Sequence, residues 1–160
     1  MRRKDKEVTS RSWMEQVLSN GEWVSLAISD VNGEPYVVPM NYGYSDGCLY
    51  LHGAVEGTKF SILKRNPKVC FCVVTDTELV RNENPSNFSE KYKSVIGKGK
   101  AEFLSDTEEK RKALGIFMRH YNGPTKPMPD AMLERVSVVK IKVTELTGKI
   151  SGYPKDGIEE

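Results

Sequence analysis

Two glycine turns constrain this chain more than any other feature. Asn32-Gly33 divides the alternating stretch Trp23 to Ser29, with Val24, Leu26 and Ile28 on one side, from Tyr36 to Tyr44, and Ser45-Asp46-Gly47 divides that stretch from Cys48 to His52. Asn-Gly and Asp-Gly between segments of period two are hairpin signals, because tight turns of this kind need positive φ where Gly, Asn and Asp tolerate it. Three successive antiparallel strands follow. Lys68 to Thr75, Ser94 to Leu104 and Val136 to Val143 bring the predicted total to six. Helices are few. One is predicted from about Ser10 to Ser19, with Trp13, Met14, Val17 and Leu18 on one face and Gly21 past its end. A second runs from Thr58 to Arg65 and stops at Asn66-Pro67. A third opens at the capping box Ser105-Asp106-Thr107-Glu108 and carries Leu114, Phe117, Met118 and Tyr121 at helical spacing, and Ala131 to Arg135 supplies one further turn. Nothing has a βαβ rhythm, so the expected class is mainly β (α+β): a small closed antiparallel barrel with two to three flanking helices.

At 160 residues the chain has the length of one domain, and 1–160 is expected to be one. Lys and Arg total 24 against 22 Asp and Glu, a balance that predicts no nucleic-acid partner. The local excess Arg2, Arg3 and Lys4 leads into Asp5, Lys6 and Glu7 rather than an apolar signal core, so 1–8 is expected to be a poorly ordered basic end. With no apolar run long enough to span a bilayer, the expectation is a cytoplasmic protein with no membrane partner. Cys48, Cys70 and Cys72 are odd in number and lack CxxC spacing; reduced thiols and no metal site are expected, with Cys70 and Cys72 packing as small hydrophobes on one side of a strand. Gly97 and Gly99 invite a dinucleotide fingerprint, but Glu102 stands where the third glycine belongs. They are better placed at a crowded bend or beneath a flat ligand.

The chemistry concentrates in His52-Gly53-Ala54-Val55-Glu56-Gly57-Thr58-Lys59. Small residues admit a ligand to backbone N–H groups, Thr58 offers a hydroxyl, and Lys59 places a cation at a helix start, where it opposes the dipole and asks for an anion. A phosphomonoester suits that set. Thr58 would equally serve as a plain N-cap. Asn41, eleven residues before His52 in Pro39-Met40-Asn41-Tyr42-Gly43-Tyr44, would be brought alongside by the hairpin.

Taken in order, these segments resemble the FMN-binding split β-barrels of the pyridoxamine-phosphate-oxidase-like superfamily, most nearly its nitroimidazole-resistance branch. The likeness runs from Gly33-Glu34-Pro35-Tyr36-Val37-Val38-Pro39-Met40-Asn41-Tyr42-Gly43-Tyr44 through Leu49-Tyr50-Leu51-His52-Gly53-Ala54 and Gly57-Thr58-Lys59. It continues in Asn66-Pro67-Lys68-Val69-Cys70-Phe71 and Tyr92-Lys93-Ser94-Val95-Ile96-Gly97-Lys98-Gly99-Lys100-Ala101. The resemblance implies a six-stranded split barrel that binds FMN at a homodimer interface and works as an oxidoreductase, reducing nitroaromatic compounds such as nitroimidazoles. It implies that Gly57, Thr58 and Lys59 hold the phosphate, that Gly53 and Ala54 allow close approach, and that Pro39, Met40, Asn41 and Tyr42 contact the ring, with Tyr42 or Tyr44 stacking or edging it. Tyr92 and Ser94 join the cofactor set, and His52 stands beside the flavin as the catalytic candidate. The end of the chain, Tyr153-Pro154-Lys155-Asp156-Gly157-Ile158-Glu159-Glu160, lacks the basic residues with which true pyridoxamine-phosphate oxidases hold substrate, so vitamin B6 oxidation is not expected. Two alternatives remain open: a haem-binding relative using His52 or His120, and a flavin sensor without turnover. The natural substrate and electron donor are not indicated.

Overall fold

A computed structural model describes residues 2–155 and 157–158. Asp156 and Glu159–Glu160 of the expected non-basic C-terminus, and Met1 of the N-terminal segment, lie outside the described residues. The strands are β1 (Glu7–Val8), β2 (Val24–Ser29), β3 (Pro35–Met40), β4 (Gly43–Ser45), β5 (Cys48–Ala54), β6 (Lys68–Val80), β7 (Ser89–Leu104) and β8 (Val136–Ser151). The helices are α1 (Arg11–Asn20), α2 (Thr58–Arg65), α3 (Thr107–His120) and the single turn α4 (Asp130–Leu133). Both predicted turns are present. Gly33 has φ +86°, while Asp46 and Gly47, at +49° and +70°, join β4 to β5 as a two-residue hairpin. In the first turn the Asp30 carboxylate accepts from the N–H groups of Asn32 and Glu34, at 2.8 and 2.9 Å.

The sheet runs β3-β2-β6-β7-β8-β5-β4, antiparallel at every ladder, with β1 added to β8. Its two ends are consecutive in sequence. β3 and β4 share no ladder, yet only Asn41 and Tyr42 separate them, so the sheet must curl until its edges meet at these two residues. The result is a split barrel with an open seam, not the closed barrel that the strand pattern suggests, because the two edge strands share no ladder. This is why the stretch Tyr36 to Tyr44, expected as one strand, is two: its halves serve opposite edges. The division, together with β1, makes eight strands where six were expected.

Tyr42 plugs the seam. Its ring is fully buried and its hydroxyl donates to the Leu18 carbonyl at 2.5 Å, tying the seam to α1. Inside the curl, Leu26, Leu49, Leu51, Phe71, Val73 and Ile141 form the main core under α1 and α2; Leu104, Ala113, Leu114, Leu133 and Val138 form a second cluster beneath α3 and α4.

Other expectations are revised by pairing. β7 and β8 are 16 residues each, longer than Ser94 to Leu104 and Val136 to Val143, because β8 continues along β7 past a bulge opposite Lys98/Gly99, where exposed Glu145 and Thr147 give way to buried Gly148, Ile150 and Ser151. Glu7 and Val8 pair with Lys149 and Gly148, and Lys6 Nζ donates to Ser151 Oγ at 2.8 Å, so the expected loose N-terminus is fastened from there on. The N-cap of α3 is Asp106, accepting from the Glu109 N–H at 2.9 Å, not Ser105. Gly21 is needed for space rather than for backbone conformation: a Cβ there would lie 2.4 Å from Val73 and 2.6 Å from the Tyr42 hydroxyl. Cys70 and Cys72 do share a side, but it is the outer face, while Val69, Phe71 and Val73 fill the core.

Candidate functional site

β5 presents alternate residues to the two clusters. Leu49 and Leu51 face the main core, whereas Tyr50 and His52 turn toward α3. There the His52 ring meets Phe117 edge-on at 4.4 Å between centroids. Its Nδ1 is sealed from solvent without a hydrogen-bond partner among the described residues. Burial first, and the Lys59 charge second, push the imidazole below its ordinary 6.5. His52 is therefore neutral at pH 7. A folded-state value below the unfolded one means that the unfolded chain binds the extra proton, so this group makes stability fall as pH drops through the window beneath 6.5. Titration of the His52 ring by NMR should show a midpoint under that value, and His52→Gln should flatten the acid side of the stability profile; a midpoint at or above 6.5 would contradict the buried, cation-facing ring.

The chain leaves β5 at Ala54 and enters α2 through Gly57, whose φ of +138° favours glycine. Gly57 is the N-cap, and it brings no side-chain cap; Thr58, expected as a candidate cap, is the exposed first helical residue. The first turn contains no acidic side chain, and Lys59, half-buried with Nζ 5.1 Å from the Phe60 ring centroid, adds a cation to the positive end of the helix. Free N–H groups, the dipole and a lysine thus point to one place, a combination suited to an anion. Gly53 also has a packing role. A Cβ on it would stand 2.9 Å from the Phe60 ring, so its missing side chain seats α2 on β5. Ala54 is exposed at the strand end.

Of Pro39, Met40, Asn41 and Tyr42, only the first and third present side chains at the surface. Met40 and Tyr42 point into the core, which removes the Tyr42 ring as a stacking surface. Tyr44 is no substitute: its hydroxyl donates to Glu15 at 3.0 Å, and burial pushes it up to about 12. Asn41 Nδ2 lies 3.3 Å from the Glu22 carbonyl. Tyr121 organises this corner, its hydroxyl accepting from the Tyr42 N–H at 3.0 Å and donating to the Glu22 carbonyl at 2.7 Å. Phe117 and Tyr121 were visible in the sequence only as a helical stripe; their place against His52 and the seam is tertiary. His120, the other possible haem ligand, has Nε2 2.7 Å from the Gly21 carbonyl and its ring between Tyr42 and Tyr121.

Tyr92 and Ser94 do not join the others within one chain. Ladder by ladder, His52 is opposite Val138 and Val138 opposite Leu104, while Tyr92 pairs with Ser151 at the far end of β7. About 3.3 Å per residue makes that separation roughly 40 Å of strand. Ser94 lies instead on the outer face, between Val74 and Lys149, and Lys149 Nζ sits 5.0 Å from the Tyr92 ring centroid. The same face carries the row Pro39, Ser25, Cys72 and Ile96. Among the described residues no group of His, Cys, Asp and Glu could hold a metal ion, and no helix is long and apolar enough to cross a membrane.

The family model of pyridoxamine 5'-phosphate oxidase matches residues 10–150. The chain belongs to that family. It is similar to the crystal structure of a candidate 5-nitroimidazole antibiotic resistance protein from Bacteroides thetaiotaomicron, at 37% identity and a TM-score of 0.81, covering 90% of this chain and 86% of that one. The flavocytochrome Anf3 from Azotobacter vinelandii shares the fold at 22% identity and a TM-score of 0.80 (96% and 73% covered). So does an FAD and heme binding protein from Mycobacterium smegmatis, at 21% and 0.82 (95% and 77% covered). No curated protein matches the chain.

Proposed function

We propose that this protein is a homodimeric, FMN-dependent oxidoreductase that reduces nitroaromatic compounds. The observation that carries the reading is the start of α2, where an uncapped helix end, Gly57 at φ +138° and Lys59 converge with no acid in the turn. One cation at a tight turn fits a terminal phosphate and so favours FMN over a longer dinucleotide. FMN, when bound, supplies the hydride and electron chemistry. The chain's own tasks are then few: Gly57, Thr58 and Lys59 hold the phosphate, Pro39 and Asn41 flank the ring, and the neutral His52 ring lines the substrate side. Likeness to the Bacteroides protein supports nitro compounds as substrates. A reduced nicotinamide or a carrier protein would donate the electrons, and a cytoplasmic setting would keep Cys48, Cys70 and Cys72 as thiols.

Packing supports a second subunit. The curled interior is filled by side chains, so a tricyclic ring must lie outside it. The outer face exposes Val37 (66%), Val74 (49%) and Ile96 (48%) together with Cys70 and Cys72, an apolar surface spread over neighbouring strands and suited to a second copy of itself. Mass analysis of the chromophore released from purified protein should find FMN; haem alone, or no chromophore after FMN reconstitution, would overturn the assignment. Lys59→Ala should weaken FMN binding by one to two orders of magnitude, as loss of a charge-assisted contact of about 1.5–3 kcal/mol requires, with the fold intact. Unchanged affinity would move the phosphate elsewhere.

A further inference from the structure

We infer that the cleft between α3 and the proline-rich segment 122–129 is a second binding site, for an apolar organic carboxylate. It is a cavity of about 460 Å³, within the range that accepts small ligands. It also lies apart from the candidate flavin site. Gly115, on its wall, is two residues from Phe117, about 200° around the helix, so the cleft occupies the side of α3 turned away from His52.

Gly115 is the first observation. It stands inside a 14-residue helix, where glycine weakens the helix relative to alanine, and packing does not require it. A Cβ at Gly43 would collide with the α3 backbone at 2.8 Å and one at Gly97 with Phe71 at 2.2 Å; at Gly115 it would meet only an Arg119 guanidinium nitrogen, at 3.6 Å. The missing side chain serves the cavity, not the core. The lining is the second observation. Leu114, Met118 and Met128 give an adaptable apolar floor. Lys112, Arg119 and Lys126 stand around it, and among the described residues none of the three has an ion-pair partner. Among the described residues no carboxylate lines the cavity; the neighbouring Glu108 and Asp130 are both paired with Arg111, whose guanidinium also donates to the Met128 carbonyl and so fastens the segment to the helix. An apolar floor under unpaired cations selects a ligand with a hydrocarbon body and one anionic head, and Arg119 can receive a carboxylate through two parallel hydrogen bonds.

Decanoate is a suitable probe, titrated calorimetrically into the full chain. The expected result is saturable binding at one site per chain, with decanol and inorganic phosphate each at least tenfold weaker because each lacks half of the recognition. Gly115→Leu, whose Cβ would meet only the Arg119 guanidinium at 3.6 Å and whose side chain would enter the cavity, should lower decanoate affinity more than tenfold. So should the exposed charge reversal Arg119→Glu with Lys126→Glu, which tests the site independently of how the leucine variant folds. Absence of saturable binding, equal binding of decanol, or wild-type affinity in either folded variant would overturn the proposal.

Discussion

Val74→Glu combined with Ile96→Glu should turn the protein into a monomer that no longer retains flavin. Both side chains lie on the outer sheet face, roughly half exposed, so the isolated subunit can carry the carboxylates in water and its core is untouched. At a two-fold interface the same groups would be buried unpaired, a penalty of several kcal/mol per charge that an interface of ordinary affinity does not survive. Size-exclusion chromatography with multi-angle scattering, read beside the flavin absorbance, gives both results at once. A monomer that keeps its flavin at micromolar concentration would refute the shared site; a dimer that tolerates both carboxylates would place the interface elsewhere. Mixing adds a sharper test. Tyr92 and Lys59 are far apart within one chain, so if both serve the cofactor they must act from different subunits. Heterodimers of Lys59→Ala and Tyr92→Ala should then regain one intact site of two.

Phe71→Ala should destabilise the protein by about 3–5 kcal/mol, the largest single-residue effect on stability expected here. Phe71 is fully buried in β6, and directly across the ladder β7 carries Gly97, over which the ring lies: a Cβ on Gly97 would come within 2.2 Å of it. Gly97→Ala should therefore cost about 1–3 kcal/mol through overpacking. Because the two changes act on the same volume, they should not add. In the Phe71→Ala background the Gly97→Ala cost should shrink or reverse, giving a coupling of about 0.5–3 kcal/mol in a denaturation cycle. Strict additivity would show that Gly97 answers to backbone strain and not to Phe71.

That pair also shows where sequence reading stops. Gly97 and Gly99 were legible as points of crowding, but not what crowds them: Phe71 is 26 positions earlier, and Gly99 abuts the Lys142 carbonyl across the β8 bulge. Gly53 is similar, since its place in a phosphate-like motif hid its service to Phe60. What the sequence determined by itself was local. The Asn32-Gly33 and Asp46-Gly47 turns, α2 from Thr58 to Asn66-Pro67, the apolar face of α1 and the cationic start of α2 each depend on residues within a few positions, whose φ preferences and periodicity act before any tertiary contact forms. Only the tertiary structure decided that β3 and β4 serve opposite edges of the sheet, that the Tyr42 ring seals the seam instead of facing a ligand, that Phe117 covers His52, and that Tyr92 and Ser94 stand apart from Lys59. Those outcomes depend on how far the sheet curls and on which side chains compete for the same buried volume, quantities set by contacts among residues distant in the chain and carried by no single segment of it.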